Sequence, residues 1–228
     1  MNTELAWDTL AENTRQVFDA LTALPLPSHF YLAGGTGLAL QIGHRISYDL
    51  DFFTSDPVLD LAGRSILQRQ LESLADVTIR HESDGQLYAI VQEVEVSFIF
   101  QHHPLLFSIR DAQGINLADP TDIGLMKLAA VKDRGTRRDF VDLYCLRQKA
   151  PFALLFDLIP RKFYDRPDFA VHLAYALSYF EDAEQDPRPL EMRVEAEWTA
   201  VKAYCLDGSR LLSQINAGLV PPKPSQFD

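Results

Sequence analysis

The hydrophobic residues of the N-terminal part recur first at helical and then at strand spacing. Apolar positions every three or four residues between 4 and 23 predict an amphipathic helix that ends at Pro25. HFYLA (29–33) is short, aromatic and apolar, which predicts a buried strand running into Gly34. The segment TGLALQIG then has helical character, and Thr36 stands where a residue would cap that helix.

Alternation of apolar and polar residues predicts further strands. ISYDLDFF (46–53) is expected to form one strand, after which Pro57 is placed to open a helix through SILQRQLESLA. Three more apolar segments follow, VTIRH, LYAIV and VEVSFIF. The Asp84-Gly85 pair between the first two is typical of a hairpin.

The pattern changes to helical spacing after Pro120. TDIGLMKLAAVK and TRRDFVDLYCLRQK predict two helices, and apolar segments continue to about residue 206. We therefore expect an α+β protein: residues 1–118 form a mixed sheet with helices, and residues 119–228 form a helical domain packed on it.

Composition and charge exclude several classes of protein. Of 228 residues, 47% are hydrophobic and 23% charged, so the chain can bury a core and is not disordered. A net charge of −11 argues against a broadly basic surface for coating nucleic acid, although it leaves room for a local basic groove. Neither a secretory signal nor an apolar run of membrane-spanning length is visible, so we expect a cytoplasmic protein that does not bind membranes.

Two aspartates separated by one apolar residue point to a metal. Side chains in a strand alternate, so Asp49 and Asp51 are expected on one face. Two carboxylates repel each other unless a cation lies between them, and oxygen ligands suit Mg²⁺ or Mn²⁺. The opposite face is expected to anchor the strand in the core through Tyr48, Leu50 and Phe52.

The glycine pair Gly34-Gly35 points to a phosphate. It ends one predicted strand and starts a helix, where free backbone N–H groups and the helix dipole favour an anion. Alone, a glycine pair is most often a turn and D-x-D is most often a surface feature. Their succession as strand, GGT, helix and DLDFF instead indicates phosphoryl or nucleotidyl transfer.

Two sequence blocks carry a specific resemblance. GGT followed by LALQ, GHR, S and DLDFF resembles the opening motif of DNA polymerase β-type nucleotidyltransferases, and more narrowly that of the AbiEii/AbiGii toxin family of type IV abortive-infection systems. KLAAVKDRGTRRDFVDLY (127–144) is similar to the downstream block of the same family. The resemblance covers about residues 30–145. It implies a polymerase β-like nucleotidyltransferase core in residues 1–118.

The resemblance assigns roles within the first block. It implies that Asp49 and Asp51 bind the metal, and that Arg45 and Ser47 steady the phosphates or the loop. The triphosphate would be held by Gly34, Gly35 and Thr36.

In the second block, the resemblance implies that Lys127 contacts the triphosphate, and Arg138, Asp139 and Asp142 match the family pattern. Asp139 and Asp142 are three residues apart on a predicted helix and therefore share a face. A solvated, salt-bridged face would explain this pattern equally well, so both a catalytic and a structural role for Asp142 stay open. Lys127 fits that explanation less well, because its neighbours are apolar.

One position departs from the polymerase β-like pattern. Such enzymes supply a third carboxylate from a neighbouring strand, here VEVSFIF, where Ser97 occupies the expected place. Either Glu95 or a helical aspartate substitutes, or the chain holds only one metal well, or it is inactive.

The resemblance implies an NTP-dependent enzyme that uses Mg²⁺ or Mn²⁺ and has a cognate antitoxin. It would transfer a nucleoside monophosphate to an acceptor such as the 3′ end of tRNA. Two alternatives remain: a nucleotide-binding or interaction module that has lost catalysis, and a nucleotidyltransferase that modifies protein.

Overall fold

The described part of the chain, residues 4–220 of a computed structural model, divides into two compact units. One unit ends at Asp119 and the other begins at Pro120. The first contains a mixed sheet and the second is helical, so the expected α+β class is confirmed.

The first unit is built around a mixed sheet, which has seven strands within residues 4–220. The strands are β1 (Tyr31–Leu32), β2 (Leu50–Thr54), β3 (Val77–Ser83), β4 (Gln86–Val91), β5 (Val94–Phe100), β6 (Arg110–Ala112) and β7 (Ile115–Leu117). Their order across the sheet is β3-β4-β5-β2-β1-β7-β6. The pairs β2–β5 and β1–β7 are parallel, and the others are antiparallel. The same unit contains a 3-10 turn and three helices: Trp7–Thr9, α1 (Glu12–Thr22), α2 (Gly34–Ile42) and α3 (Leu61–Leu71).

One face of the central strands is buried against apolar helix residues. Leu50 and Phe52 of β2 are almost fully buried, as predicted, and Phe52 stacks on Phe98 of β5 with ring centroids 5.1 Å apart. The prediction for Tyr48 is wrong, because 47% of its surface is exposed. The reason is that the strand begins only at Leu50, so the alternation does not extend back to Tyr48.

Two local predictions in this unit need correction. The helix expected to open at Pro57 begins at Leu61, because Asp60 caps it by accepting a hydrogen bond from the Gly63 N–H at 2.8 Å. The β6–β7 hairpin was not predicted. Its strands are only three residues long, so alternation gives little signal there. The predicted Asp84-Gly85 turn does join β3 to β4.

The second unit contains helices of very different length within the described residues. They are α4 (Pro120–Asp133), α5 (Arg137–Leu146), α6 (Phe152–Lys162), α7 (Phe169–Ala176), α8 (Glu181–Gln185) and α9 (Trp198–Asn216). Asp122 of α4 and Lys162 of α6 form a fully buried ion pair of 2.9 Å. Burial lowers the pKa of Lys162, and Asp122 opposes this effect.

None of the helices in residues 4–220 has the length and apolar character that a membrane crossing needs.

Candidate active site

The junction between β1 and α2 leaves little room for side chains. Gly34 has φ +60°, and a Cβ built on it would lie 2.7 Å from Oδ2 of Asp51. A Cβ on Gly35 would lie 2.1 Å from Nη2 of Arg45. The first turn of α2 is therefore packed directly against one carboxylate and one guanidinium group.

The sequence predicted that Thr36 caps α2. This prediction is wrong, because α2 already begins at Gly34. The Thr36 hydroxyl instead donates to the carbonyl of Asp49 and lies 2.7 Å from Oγ of Ser47. Both Thr36 and Ser47 are buried. These contacts tie the first turn of α2 to the segment that leads into β2.

Arg45 is buried beside the glycine pair. Only 3% of its surface is exposed, and its Nη1 donates to the Ile46 carbonyl at 3.1 Å. Nη1 also lies 3.4 Å from Oγ of Ser47. A buried guanidinium against the N-terminal turn of a helix adds positive charge where the helix dipole is also positive.

Asp49 and Asp51 line one cavity of about 470 Å³. Asp49 lies just before β2 rather than within it, so only Asp51 is part of the strand, although both residues lie at the same cavity. The prediction that VEVSFIF lies beside DLDFF is confirmed, because β5 runs parallel to β2 with Ser97 opposite Asp51. Oγ of Ser97 donates to Oδ1 of Asp51 at 2.5 Å, and both residues line the cavity.

The donors at this cavity suit a hard divalent cation. Two carboxylates and a hydroxyl supply only oxygen, which is the preferred ligand of Mg²⁺ and Mn²⁺. Glu95, two residues before Ser97, lines the same cavity and is exposed. Within residues 4–220, no group of three or more His, Cys, Asp or Glu side chains is arranged to hold a metal ion. A cation here would therefore take its remaining ligands from water or from phosphate oxygens.

A second cluster of charges lies in the helical unit, around Lys127. Its Nζ lies 3.0 Å from Oδ1 of Asp139 and 2.6 Å from Oδ2 of Asp142, and both carboxylates are fully buried. Arg134 and Thr136 also donate to Asp139, at 2.9 and 2.7 Å. Burial by itself would raise the pKa of Asp139, but Lys127 and Arg134 outweigh it and hold that pKa well below its ordinary value.

The contacts of the residues in the second sequence block (127–144) show which of them lie together. Asp139 and Asp142 do share a face, as predicted, since both meet the ammonium of Lys127. Arg137 lies over the Trp198 ring at 4.9 Å, in keeping with a structural role, and Arg138 is half-buried. Within each unit the predicted residues come together, and the roles assigned to them in the reaction stay predictions.

Three residues with polar side chains at the Asp49–Asp51 cavity were not predicted from the sequence: Arg80, His81 and Tyr88. Alternation within LYAIV could have placed Tyr88 on the open face of the sheet, since buried Leu87 and Ala89 flank it. Arg80 and His81 are adjacent in sequence, and regular alternation puts only one of them on that face. The β3 register is irregular between Ile79 and His81. No pattern in the sequence predicts this irregularity.

Comparison with known proteins shows the class of protein to which this chain belongs. Residues 16–218 match a nucleotidyltransferase family, described as the nucleotidyl transferase AbiEii toxin of type IV toxin–antitoxin systems. The chain belongs to this AbiEii family and is an NTP-dependent enzyme of the nucleotidyltransferase class. Membership implies an antitoxin partner, and it confirms the resemblance identified from the sequence.

The similarity to individual proteins extends over most of the chain. An uncharacterized protein of Aquifex aeolicus is 32% identical over 198 residues, which cover 86% of this chain and 93% of that protein. The crystal structure of JHP933 from Helicobacter pylori is similar at a TM-score of 0.48 and 19% identity, covering 92% of this chain and 94% of that one. The Megavirus polyadenylate synthase is similar at a TM-score of 0.41 and 14% identity, covering 66% of this chain and 36% of that one.

Proposed function

We propose that this enzyme transfers a nucleoside monophosphate from an NTP to a hydroxyl at the 3′ end of tRNA, in a reaction that needs Mg²⁺ or Mn²⁺. Such an activity would block translation, as expected of a toxin, and would take place in the cytoplasm, where NTPs and tRNA are found. The observation that carries the proposal is the position of Asp51. Its carboxylate lies between the bare backbone of Gly34 and the hydroxyl of Ser97, at an open cavity.

The triphosphate is proposed to bind at the first turn of α2, through Gly34, Gly35 and Thr36. The first turn of a helix has backbone N–H groups without an intrahelical partner, and glycine at its first two positions adds no side chain that would keep a phosphate oxygen away from them. Arg45 supplies positive charge beneath this turn, and Ser47 fixes the Thr36 hydroxyl.

Asp49 and Asp51 would hold the metal, which when bound offsets charge on the triphosphate and favours deprotonation of the attacking hydroxyl. Ser97 orients the Asp51 carboxylate through its 2.5 Å hydrogen bond. Glu95 is the remaining acid of the cavity and is available to accept a proton or a hydrogen bond from the acceptor.

In the helical unit, Lys127 and Arg138 are proposed to bind the triphosphate, and Asp142 is proposed to be catalytic together with Lys127. The contact of 2.6 Å between Lys127 and Asp142 supports their acting as a pair, because it fixes the ammonium within an apolar surrounding. Asp139, which also accepts from Arg134, is assigned a positioning role in the same cluster.

One assay separates the candidate functions: the protein is incubated with each of four labelled NTPs, Mg²⁺, total RNA and a protein extract. Label on small RNA, lost on chelation of the metal, supports the proposal. Label on protein instead would assign the chain to the protein-modifying nucleotidyltransferases and overturn the RNA acceptor.

A second candidate function is a nucleotide-binding or interaction module with weakened catalysis. It is favoured by Ser97, which lies opposite Asp51 at the position where the polymerase β-like pattern described above has a third carboxylate. Saturable NTP binding without labelled RNA or protein in the same assay would select this candidate.

A further inference from the structure

Four side chains form a row across the open face of the sheet, starting at the proposed metal site. Asp51 on β2 is opposite Ser97 on β5, Ser97 is opposite Tyr88 on β4, and Tyr88 is opposite His81 on β3. All four line the cavity of about 470 Å³. The rings of Tyr88 and His81 are 6.1 Å apart between centroids. An aromatic pair therefore continues the row that begins with the carboxylate.

An irregularity in β3 brings a cation to the same cavity. Ile79 pairs with Ala89 and His81 pairs with Tyr88, so Arg80 is an extra residue that forms a bulge. Residues that pair across neighbouring strands point to the same face, so His81 lies on the face of Tyr88, and the extra residue Arg80 lines the same cavity. The bulge thus adds a positive charge next to the aromatic pair.

The position of this row relative to the proposed phosphate site indicates from which side the acceptor would approach Asp51. The proposed phosphate site, at Gly34, lies on one side of the Asp51 carboxylate, and Ser97 lies on the other. Attacking and leaving oxygens are roughly in line in phosphoryl transfer. If the pyrophosphate leaves from the Gly34 side, the acceptor approaches from the Ser97 side, along β5, β4 and β3.

We infer that Tyr88 and His81 form an acceptor subsite that stacks the terminal nucleobase of an RNA, with Arg80 contacting a backbone phosphate. The inference rests on the proposed function and names the part of the chain that receives the acceptor. Aromatic rings bind single-stranded nucleic acid by stacking, and Arg suits phosphate. Glu95, at the same cavity, suits base amino groups or ribose hydroxyls rather than a phosphate.

The test compares Tyr88→Ala and Tyr88→Phe with the control Tyr164→Ala, an exposed tyrosine of the helical unit. Binding of a labelled single-stranded RNA is measured by fluorescence anisotropy, NTP binding by calorimetry, and transfer by the labelling assay. Loss of one stacked base is expected to weaken RNA binding roughly tenfold in Tyr88→Ala. Tyr88→Phe keeps the ring and should bind within about twofold of wild type. The affinity for NTP should be unchanged in both Tyr88 variants. The Tyr164→Ala variant should bind RNA and NTP as wild type does.

The outcomes distinguish this inference from the proposed function. Equal RNA affinity in wild type and a folded Tyr88→Ala variant overturns the subsite, even if transfer to RNA occurs. If wild type transfers nothing to RNA, the proposed function fails, while a selective loss of RNA binding in Tyr88→Ala still supports the subsite. If protein is labelled and only that labelling depends on Tyr88, the RNA acceptor is overturned. Should Tyr88→Ala unfold, His81→Ala at an exposed position is expected to weaken RNA binding about fivefold, and unchanged binding there overturns the subsite.

Discussion

Ser97 lies beside Asp51, and a substitution there tests the proposed metal site. It is 5% exposed and donates a 2.5 Å hydrogen bond to Asp51. Ser97→Asp would place a second carboxylate against the first, which is unfavourable without a cation and favourable with one. We expect the Mg²⁺ midpoint, measured by calorimetry, to fall roughly tenfold. We also expect the melting temperature to depend more strongly on Mg²⁺.

The control for this substitution is Ser213→Asp on an exposed part of α9, which should leave the Mg²⁺ midpoint unchanged. A loss of stability in Ser97→Asp that Mg²⁺ does not restore would mean that the cation does not lie beside this strand.

A side chain at Gly34 would be unfavourable for two reasons, the positive φ and the close contact with Asp51. Gly114, which has a positive φ but no such contact, serves as a control that separates the two effects. Gly34→Ala should destabilise the fold by about 1–3 kcal/mol, from strain at φ +60° and crowding of Asp51 at 2.7 Å. It should also lower NTP affinity. Gly114→Ala has the same handedness, φ +91°, but no atom within 4 Å of the new Cβ, so it should cost only about 1–2 kcal/mol and leave NTP affinity unchanged. Equal NTP affinity in the two variants would remove Gly34 from the phosphate site.

At the scale of elements, α4 and α5 are joined by the buried charges around Lys127. Lys127→Met would leave Asp139 and Asp142 buried without their shared ammonium, at an expected cost of about 3–5 kcal/mol in the free energy of unfolding. Lys132→Met is the control, since Lys132 pairs with the exposed Asp133 and has a distant contact of 5.8 Å with the Phe169 ring, so its loss should change stability by about 1 kcal/mol or less. Urea unfolding measures both, and a Lys127→Met protein as stable as wild type would contradict the structural importance of the cluster.

The same pair of helices should carry a pH dependence of stability. The pKa of Asp139 is lower in the folded chain than its ordinary value of 3.8, so its stabilising effect is fully present above that value and is lost as the pH falls below it. The difference in unfolding free energy between wild type and Asp139→Asn should therefore be larger at about pH 7 than at about pH 3. Asp207→Asn, at an exposed pair, should show a small difference at both. A difference for Asp139→Asn that does not shrink in acid would show that Asp139 is not ionised by its neighbours.

For the whole molecule, periodicity and the two motif blocks predicted the sheet half, the helical half and the meeting of Asp51 with Ser97. The resemblance named VEVSFIF as the neighbouring strand, and alternation placed Ser97 on the face opposite Val96 and Phe98, which are buried. Features set by tertiary contacts could not be predicted. The bulge at Arg80 is fixed by pairing with β4, and sequence spacing alone could not show that Asp139 and Asp142 share Lys127 as their partner.

We propose that this AbiEii-family chain is an active, metal-dependent nucleotidyltransferase whose metal lies at Asp51. Asp51→Asn keeps the size of the side chain and an oxygen for the Ser97 hydroxyl, so the fold should be retained while one ligand charge is lost. We expect NMP transfer from labelled NTP to RNA to fall roughly a hundredfold or more, with loss of Mg²⁺-dependent NTP binding. Asp19→Asn, at an exposed ion pair of α1, should keep both. Wild-type transfer by a folded Asp51→Asn protein would contradict the claim.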